Sequence, residues 1–377
     1  MMIKKKILFV FGTRPEAIKL APLIQLIEKD GTFDSAVCVT GQHREMLQQV
    51  LDLFRIVPHY NLNVMTQNQD LALLTSNVIM GMTKILKEYE PDCVIVQGDT
   101  TTTMATALAA YYQKIDVGHV EAGLRTSNIY SPWPEEINRQ AVARVARFHF
   151  APTDQARKNL LQEGVVLKNI FITGNTVIDS LLQVRQGLTE KIGLQGDIFQ
   201  EQFSFIQDDK KLILVTGHRR ENFGEAFENV CLALKDVAAQ ENVQIVYPVH
   251  LNPNVLIPVR KILKNQDNVH LIDPLPYEPM AYLLTRSYLI VTDSGGIQEE
   301  APALGIPVIV TRDTTERPEG VEAGTAILAG TDRKRIVSSI TTLLRDEVVY
   351  EAMSKAHNPY GDGTASLKIV QILKQEL

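Results

Sequence analysis

The sequence predicts an α/β protein with two parallel-sheet domains, and three observations lead there. Short apolar runs rich in Val and Ile alternate with longer segments of helical period, as expected for strands buried on both faces of a parallel sheet and their crossover helices. The alternation pauses over 179–210, a polar stretch of helical pattern, and restarts with the run 212–216. The chain has 377 residues, more than one core fills when domains typically run roughly 100–200 residues.

In the first half, strands are expected at 7–11, 36–40, 93–97, 116–120, 148–151 and 170–173, with helices at 17–28, 44–53, 71–89 and 102–112 between them. In the second, strands are expected at 212–216, 244–249, 269–272, 289–292 and 308–310, with helices such as 227–239 and 296–303. The domains are therefore placed at 1–178 and 179–362. The helical pattern at 365–374 leaves open whether the segment 363–377 crosses back to the first domain. Two such domains imply a cleft, and the active site is expected in it.

Composition narrows the function classes. With 45% hydrophobic and 22% charged residues the chain is ordinary and globular, and its formal charge of -6 argues against non-specific binding of nucleic acid. Any anion site must be local. Cys38, Cys93 and Cys231 form neither a CxxC pair nor a zinc spacing; Cys38 and Cys93 sit in apolar runs and read as buried thiols of a reducing compartment. The N-terminal apolar run stops at Gly12, and no stretch approaches the roughly 18 apolar residues of a membrane span, so a cytosolic protein without membrane attachment is expected.

Five strand-to-turn motifs carry candidate chemistry. Phe11-Gly12-Thr13 leads into Arg14, Pro15 and a helix; glycine at a strand end before a helix N-terminus suits an anion, with Arg14 and Lys19 adding positive charge. The pattern is not GxGxxG and gives little support for a nicotinamide cofactor. Gly98-Asp99 closes another strand ahead of Thr100–Thr103, where Asp99 is either an N-cap or a reactive carboxylate. Gly118-His119-Val120-Glu121-Ala122-Gly123 carries Glu121 to a third strand tip, followed by the proline-stiffened loop Ser131-Pro132-Trp133-Pro134-Glu135-Glu136. Asp99, Glu121 and Glu135 or Glu136 can thus meet at one sheet edge as the multiple carboxylates of acid–base chemistry. In the second half, Gly217-His218-Arg219-Arg220 puts an imidazole at a strand tip. Asp293-Ser294-Gly295-Gly296 opens a helix as a phosphate cradle, with Glu300 one turn on to accept ribose hydroxyls and Arg317 after the next strand.

Together the motifs FGTRPEAIKLAP, GDTTTT, GHVEAGLRT, YSPWPEE, TGHRREN, YPVHLNPNV, TDSGGIQEEAP and RDTTERPE, spread over residues 11–319, make the chain resemble the non-hydrolysing UDP-N-acetylglucosamine 2-epimerases, which have the GT-B fold. The resemblance implies that Arg14, Lys19, His218, Ser294, Gly295, Gly296, Glu300 and Arg317 hold UDP. It further implies that Asp99, Glu121 and Glu135 face the sugar, and that His218 assists the departing diphosphate. It implies UDP-N-acetylglucosamine as substrate, no metal or other cofactor, a homodimer, and activation by UDP-N-acetylglucosamine at a second pocket, in whose motifs Gln42, Arg219 and His250 lie. Three rivals share part of this pattern: a hydrolysing epimerase that releases N-acetylmannosamine, a GT-B glycosyltransferase, which would not need three carboxylates at the sugar, and a non-catalytic nucleotide-sugar sensor.

Overall fold

The computed structural model describes residues 4–41, 44–65, 69–195 and 198–377. The chain forms two compact units, Met1–Ser180 with Tyr360–Leu377, and Leu181–Pro359.

The first unit is a seven-stranded parallel sheet in the order β3-β2-β1-β4-β5-β6-β7. Its strands are β1 (Lys6–Phe11), β2 (Asp34–Val39), β3 (Tyr60–Asn61), β4 (Cys93–Gln97), β5 (Asp116–Val120), β6 (Phe148–Ala151) and β7 (Ile170–Ile172). The crossovers run through α1 (Arg14–Asp30), α2 (Arg44–Leu53), α3 (Leu71–Tyr89), α4 (Thr101–Tyr112), α5 (Glu135–Val145) and α6 (Asp154–Gln162), and α7 (Thr176–Gln195) follows β7. Ile7 through Phe11 are fully buried, which is why β1 reads as a continuous apolar run with no alternation. Small residues let α4 pack closely: Ala105, Ala107, Ala109 and Ala110 are buried in a cluster with Val78, Met82 and Leu86 of α3. Helix α1 stops at Gly31, whose φ of 68° is the left-handed conformation a helix C-terminus favours.

The second unit repeats the plan with six parallel strands in the order β10-β9-β8-β11-β12-β13. These are β8 (Lys211–Thr216), β9 (Val243–Pro248), β10 (Val269–Ile272), β11 (Leu289–Thr292), β12 (Val308–Val310) and β13 (Ala326–Leu328). Its helices are α8 (Glu225–Gln240), α9 (Pro253–Leu263), α10 (Tyr277–Arg286), α11 (Gly295–Glu300), α12 (Pro318–Glu322), α13 (Arg333–Arg345) and α14 (Glu347–Ser354). One core gathers Val230, Leu234 and Val237 of α8 with Val255 and Val259 of α9 and Ile336 and Ile340 of α13 against the sheet.

The final helix, α15 (Ala365–Glu376), belongs to the first unit and packs on α1. Its first backbone N–H groups, which no intrahelical carbonyl can satisfy, are taken by Asp179: Ser366 N donates at 2.7 Å and Ala365 N at 3.3 Å. Ile369, Val370 and Leu373 bury its apolar stripe, and Lys374 pairs with Asp30 at 2.7 Å.

Two strands lie outside the sequence expectation. β3 has only two residues, in a segment without an apolar run, and is held by pairing Cys38 with Tyr60. β13 has three residues and forms an edge on β12. All three cysteines are buried free thiols, and burial pushes Cys38 up to about 12. No helix among the described residues is long and apolar enough to cross a membrane.

Both strand orders reverse direction once, where β1 meets β4 and where β8 meets β11. The chain leaves these neighbouring strands toward opposite edges, opening a crevice at their carboxyl ends, the place where open α/β sheets bind ligands.

Candidate active site

At the first switch point, the turn after β1 and the turn after β4 are tied together by one buried carboxylate. Glu16 is 1% exposed. Its Oε2 accepts from Gly12 N at 3.0 Å and Thr13 N at 2.7 Å, while Oε1 accepts from the hydroxyls of Thr100 at 2.7 Å and Thr103 at 3.1 Å. Burial raises the pKa of Glu16 although these hydrogen bonds pull it down. The sequence reading gave Glu16 no role beyond starting a helix. Its signal was the capping box it forms with Thr13. Arg14, half-buried, follows immediately on this pinned turn.

Asp99 stands one residue beyond Gly98, whose φ is 73°. The N-cap of α4 is Thr100, whose hydroxyl accepts from Thr103 N at 3.1 Å, so Asp99 is not used as a cap. Arg139 holds its Oδ2 instead, through Nε at 2.9 Å and Nη2 at 2.7 Å, and Asn138 donates to its carbonyl at 2.9 Å. His119 fixes the preceding residue, with Nε2 2.7 Å from the Gly98 carbonyl. Burial drives the His119 pKa down to about 3, so the ring is neutral at pH 7 and Nε2 is the donor.

Glu121 is 8% exposed and has a φ of 64°, a left-handed backbone that a non-glycine residue adopts at a cost of about 1–3 kcal/mol. Lys19 Nζ meets its Oε1 at 2.6 Å and Asn175 Nδ2 donates to the same oxygen at 2.9 Å. Gln97 Nε2 donates to Oε2. A Cβ added at Gly98 would stand 3.6 Å from Oε2, so this carboxylate lies against the turn that carries Asp99. Lys19, expected as a diphosphate ligand, is thus also a partner of Glu121. Gln97 and Asn175 are not legible as site residues from the sequence; nothing local to them marks them.

The two carboxylates left open by the sequence separate cleanly. Glu136 is fully buried and builds the preceding loop, accepting from Thr126 N at 3.0 Å, Ser127 N at 3.2 Å, Arg139 Nη1 at 3.2 Å and Gln140 Nε2 at 3.2 Å. Glu135, the first residue of α5, has a buried Oε2 without a hydrogen-bond partner among the described residues. Arg139 therefore connects Asp99 to Glu136, while Glu135 keeps an unused acceptor.

At the second switch point, the turn Gly217-His218-Arg219 ends β8 beside Asp293 at the end of β11. Fully buried Asp293 accepts from both His218 N and Arg219 N at 2.8 Å. The His218 ring is stacked on His250, with centroids 5.3 Å apart and planes 12° apart. Burial lowers the His218 pKa, the nearby Asp293 opposing this and His250 adding to it. Ser294 N-caps α11 without a side-chain cap bond, leaving the helix start at Gly295 and Gly296 bare of side chains. The Arg317 guanidinium carbon lies 3.7 Å from where a Gly295 Cβ would be, and Arg317 Nε is ion-paired with buried Glu299. Glu300, 6% exposed, accepts at 2.8 Å from the Tyr277 hydroxyl, whose pKa burial and Glu300 raise well above the usual phenol value. Tyr277, Glu299 and Asp293 were not singled out from sequence, although Glu299 and Asp293 lie inside the quoted motif. Of the residues expected at an activating pocket, Arg219 and His250 occupy this edge, and Gln42 lies outside the described residues.

Comparison with known proteins decides the family. A sequence profile of the UDP-N-acetylglucosamine 2-epimerases matches residues 25–374. The chain belongs to the UDP-N-acetylglucosamine 2-epimerase family. It is 58% identical over 370 residues to the UDP-N-acetylglucosamine 2-epimerase of Escherichia coli (strain K12), covering 98% of both chains. A crystal structure of UDP-GlcNAc 2-epimerase from Neisseria meningitidis bound to UDP-GlcNAc superposes with a TM-score of 0.92 at 51% identity, covering 98% of this chain and 100% of that one. The Methanocaldococcus jannaschii UDP-GlcNAc 2-epimerase, in complex with UDP-GlcNAc and UDP, gives 0.80 at 34% identity, with 98% and 99% covered. Membership makes the chain an epimerase, an isomerase with the two-sheet architecture of the GT-B fold.

Proposed function

We propose that the chain interconverts UDP-N-acetylglucosamine and UDP-N-acetylmannosamine by eliminating UDP and adding it back, without releasing free sugar. The observation that carries this reading is the arrangement of Asp99 and Glu121, two carboxylates on adjoining turns of one sheet edge, Asp99 held by the Arg139 guanidinium and Glu121 by Lys19 and the amides of Gln97 and Asn175. The relatives crystallised with UDP-GlcNAc support the substrate.

The C2 proton of the sugar has no neighbouring carbonyl to acidify it. Breaking the C1–O bond does so: the electron pair leaves with UDP, C1 gains oxocarbenium character, and a carboxylate removes the C2 proton to leave 2-acetamidoglucal. Protonation of C2 from the opposite face and attack of a UDP phosphate oxygen on C1 complete the inversion. Two faces require two sets of proton carriers, a demand that Asp99, Glu121 and Glu135 meet better than a single base. Arg14, His218 and the backbone N–H groups at Ser294, Gly295 and Gly296 hold the departing diphosphate, aided by Arg317, and Glu300 takes the ribose hydroxyls. Lys19, whose Nζ pairs with Glu121, serves in this reading as a further cation for the diphosphate. We further assign to the chain a cytosolic location, a homodimeric state, a place in making cell-envelope polysaccharide precursors, and activation by UDP-N-acetylglucosamine at a second pocket involving Gln42, Arg219 and His250.

Incubation with UDP-N-acetylglucosamine in heavy water, followed by proton NMR, tests the reading. UDP-N-acetylmannosamine carrying deuterium at C2 is expected. Free N-acetylmannosamine would move the chain to the hydrolysing class, and an unchanged spectrum at millimolar substrate would sink the proposal.

A further inference from the structure

Asp293 has bonding capacity that capping the turn does not use. One oxygen, Oδ2, accepts the backbone N–H groups of His218 and Arg219 at 2.8 Å each. The Tyr247 hydroxyl donates to the Gly217 carbonyl at 3.0 Å, and the Thr216 and Thr292 hydroxyls are 2.6 Å apart, so the strand ends around the turn are already fastened. The other oxygen, Oδ1, is buried without a hydrogen-bond partner among the described residues and lies 4.0 Å from His218 Nδ1. A buried carboxylate oxygen with no donor is costly, and its retention calls for a use. The ionisable groups acting on the His218 ring are Asp293, His250 and Arg219, and Asp293 is the one anion among them.

We propose that Asp293 is a positioning residue for His218: its Oδ1 receives an Nδ1–H hydrogen bond when the ring closes the remaining gap, orienting the ring so that, once doubly protonated, its Nε2–H donates to the diphosphate oxygens. This rests on the reading of His218 as a group acting on the departing diphosphate. The positively charged ring then forms against a carboxylate already in place, and no proton need come from solvent to Nδ1.

The full-length protein, labelled with 13C and 15N in histidine, tests it by NMR titration, with the His218 signals assigned through His218→Gln. Asp293→Asn preserves the shape and an acceptor for the two backbone N–H groups but removes the charge. Its His218 pKa is expected to fall by about one unit, the alkaline limb of the kcat profile to move down with it, and kcat to drop about tenfold. A folded Asp293→Asn variant with an unchanged His218 pKa would overturn the proposal, as would a shifted pKa with an unmoved kcat profile. Should that variant not fold, the Asp293 carboxyl carbon of the unsubstituted protein, in a second sample labelled with 13C in aspartate, provides the second measurement: it should show an inflection at the pH where His218 titrates, and its absence would overturn the coupling. Full epimerase activity in His218→Gln would remove His218 from the reaction and the proposal with it. The Asp293→Asn titration, which needs no turnover, separates that failure from a failure of the coupling itself.

Discussion

Lys19 Nζ and Glu121 Oε1 are 2.6 Å apart across 102 residues of sequence, with both side chains largely buried. Breaking a buried pair by removing one member leaves the other charge uncompensated. Lys19→Met is therefore expected to lower stability by about 3 kcal/mol in urea unfolding and to cut turnover as well. A variant as stable as the unsubstituted protein would show that Gln97 and Asn175 suffice to hold Glu121.

The carboxylates themselves should separate chemistry from binding. Asp99→Asn and Glu121→Gln are each expected to reduce kcat by about 10²–10⁴-fold while UDP affinity, measured calorimetrically, changes less than about threefold. An equal loss of affinity and turnover would instead make them ligands of the nucleotide.

Gly123 tests the backbone that carries Glu121. Its φ is 93°, and an added Cβ would come within 2.3 Å of the Ala156 carbonyl oxygen, a backbone atom that cannot swing aside. Gly123→Ala is expected to destabilise the protein by about 3 kcal/mol or more, combining overpacking with left-handed strain. A thermal midpoint unchanged from the original would contradict this packing.

Removing the Tyr277 hydroxyl takes away a 2.8 Å donor from Glu300 without touching the glycine turn. If Glu300 accepts ribose hydroxyls, Glu300→Gln should weaken UDP about 10–100-fold but 2′-deoxy-UDP less, because hydrogen bonds to a charged group are worth about 1.5–3 kcal/mol. Tyr277→Phe should give a smaller loss of the same kind. Equal losses for both nucleotides would remove Glu300 from ribose recognition.

His149 sets a pH window for stability. Burial lowers its pKa from 6.5 to about 4, so between those values the unfolded chain binds a proton that the folded one refuses. Stability is full above 6.5 and is lost as pH falls toward 4, at up to about 1.4 kcal/mol per pH unit for this group. His149→Asn should flatten the urea-derived stability between pH 6 and pH 5 by about 1 kcal/mol relative to the unsubstituted protein. Carboxylates titrating in the same range contribute equally to both proteins; an unchanged slope would mean that His149 is not held neutral.

The amino-acid sequence by itself determined the two alternating α/β halves, because a strand buried on both faces is an unbroken apolar run and needs no distant information. It also determined which turns end those strands, through Gly12, Gly98, Gly217 and the Ser294-Gly295-Gly296 step. β3 and β13 escaped it: two or three residues that pair at an edge leave almost no burial pattern. Only the tertiary structure decided the partners. Gln97 reaches Glu121 because parallel pairing sets Gln97 opposite Val120, one residue before it, and Asn175 arrives from beyond β7. It likewise separated Glu136, spent on four loop and helix donors, from its neighbour Glu135, and gave Asp293 its place under His218. Local sequence encodes burial period and turn chemistry, whereas a side chain's hydrogen-bond partner depends on the register between strands far apart in the chain.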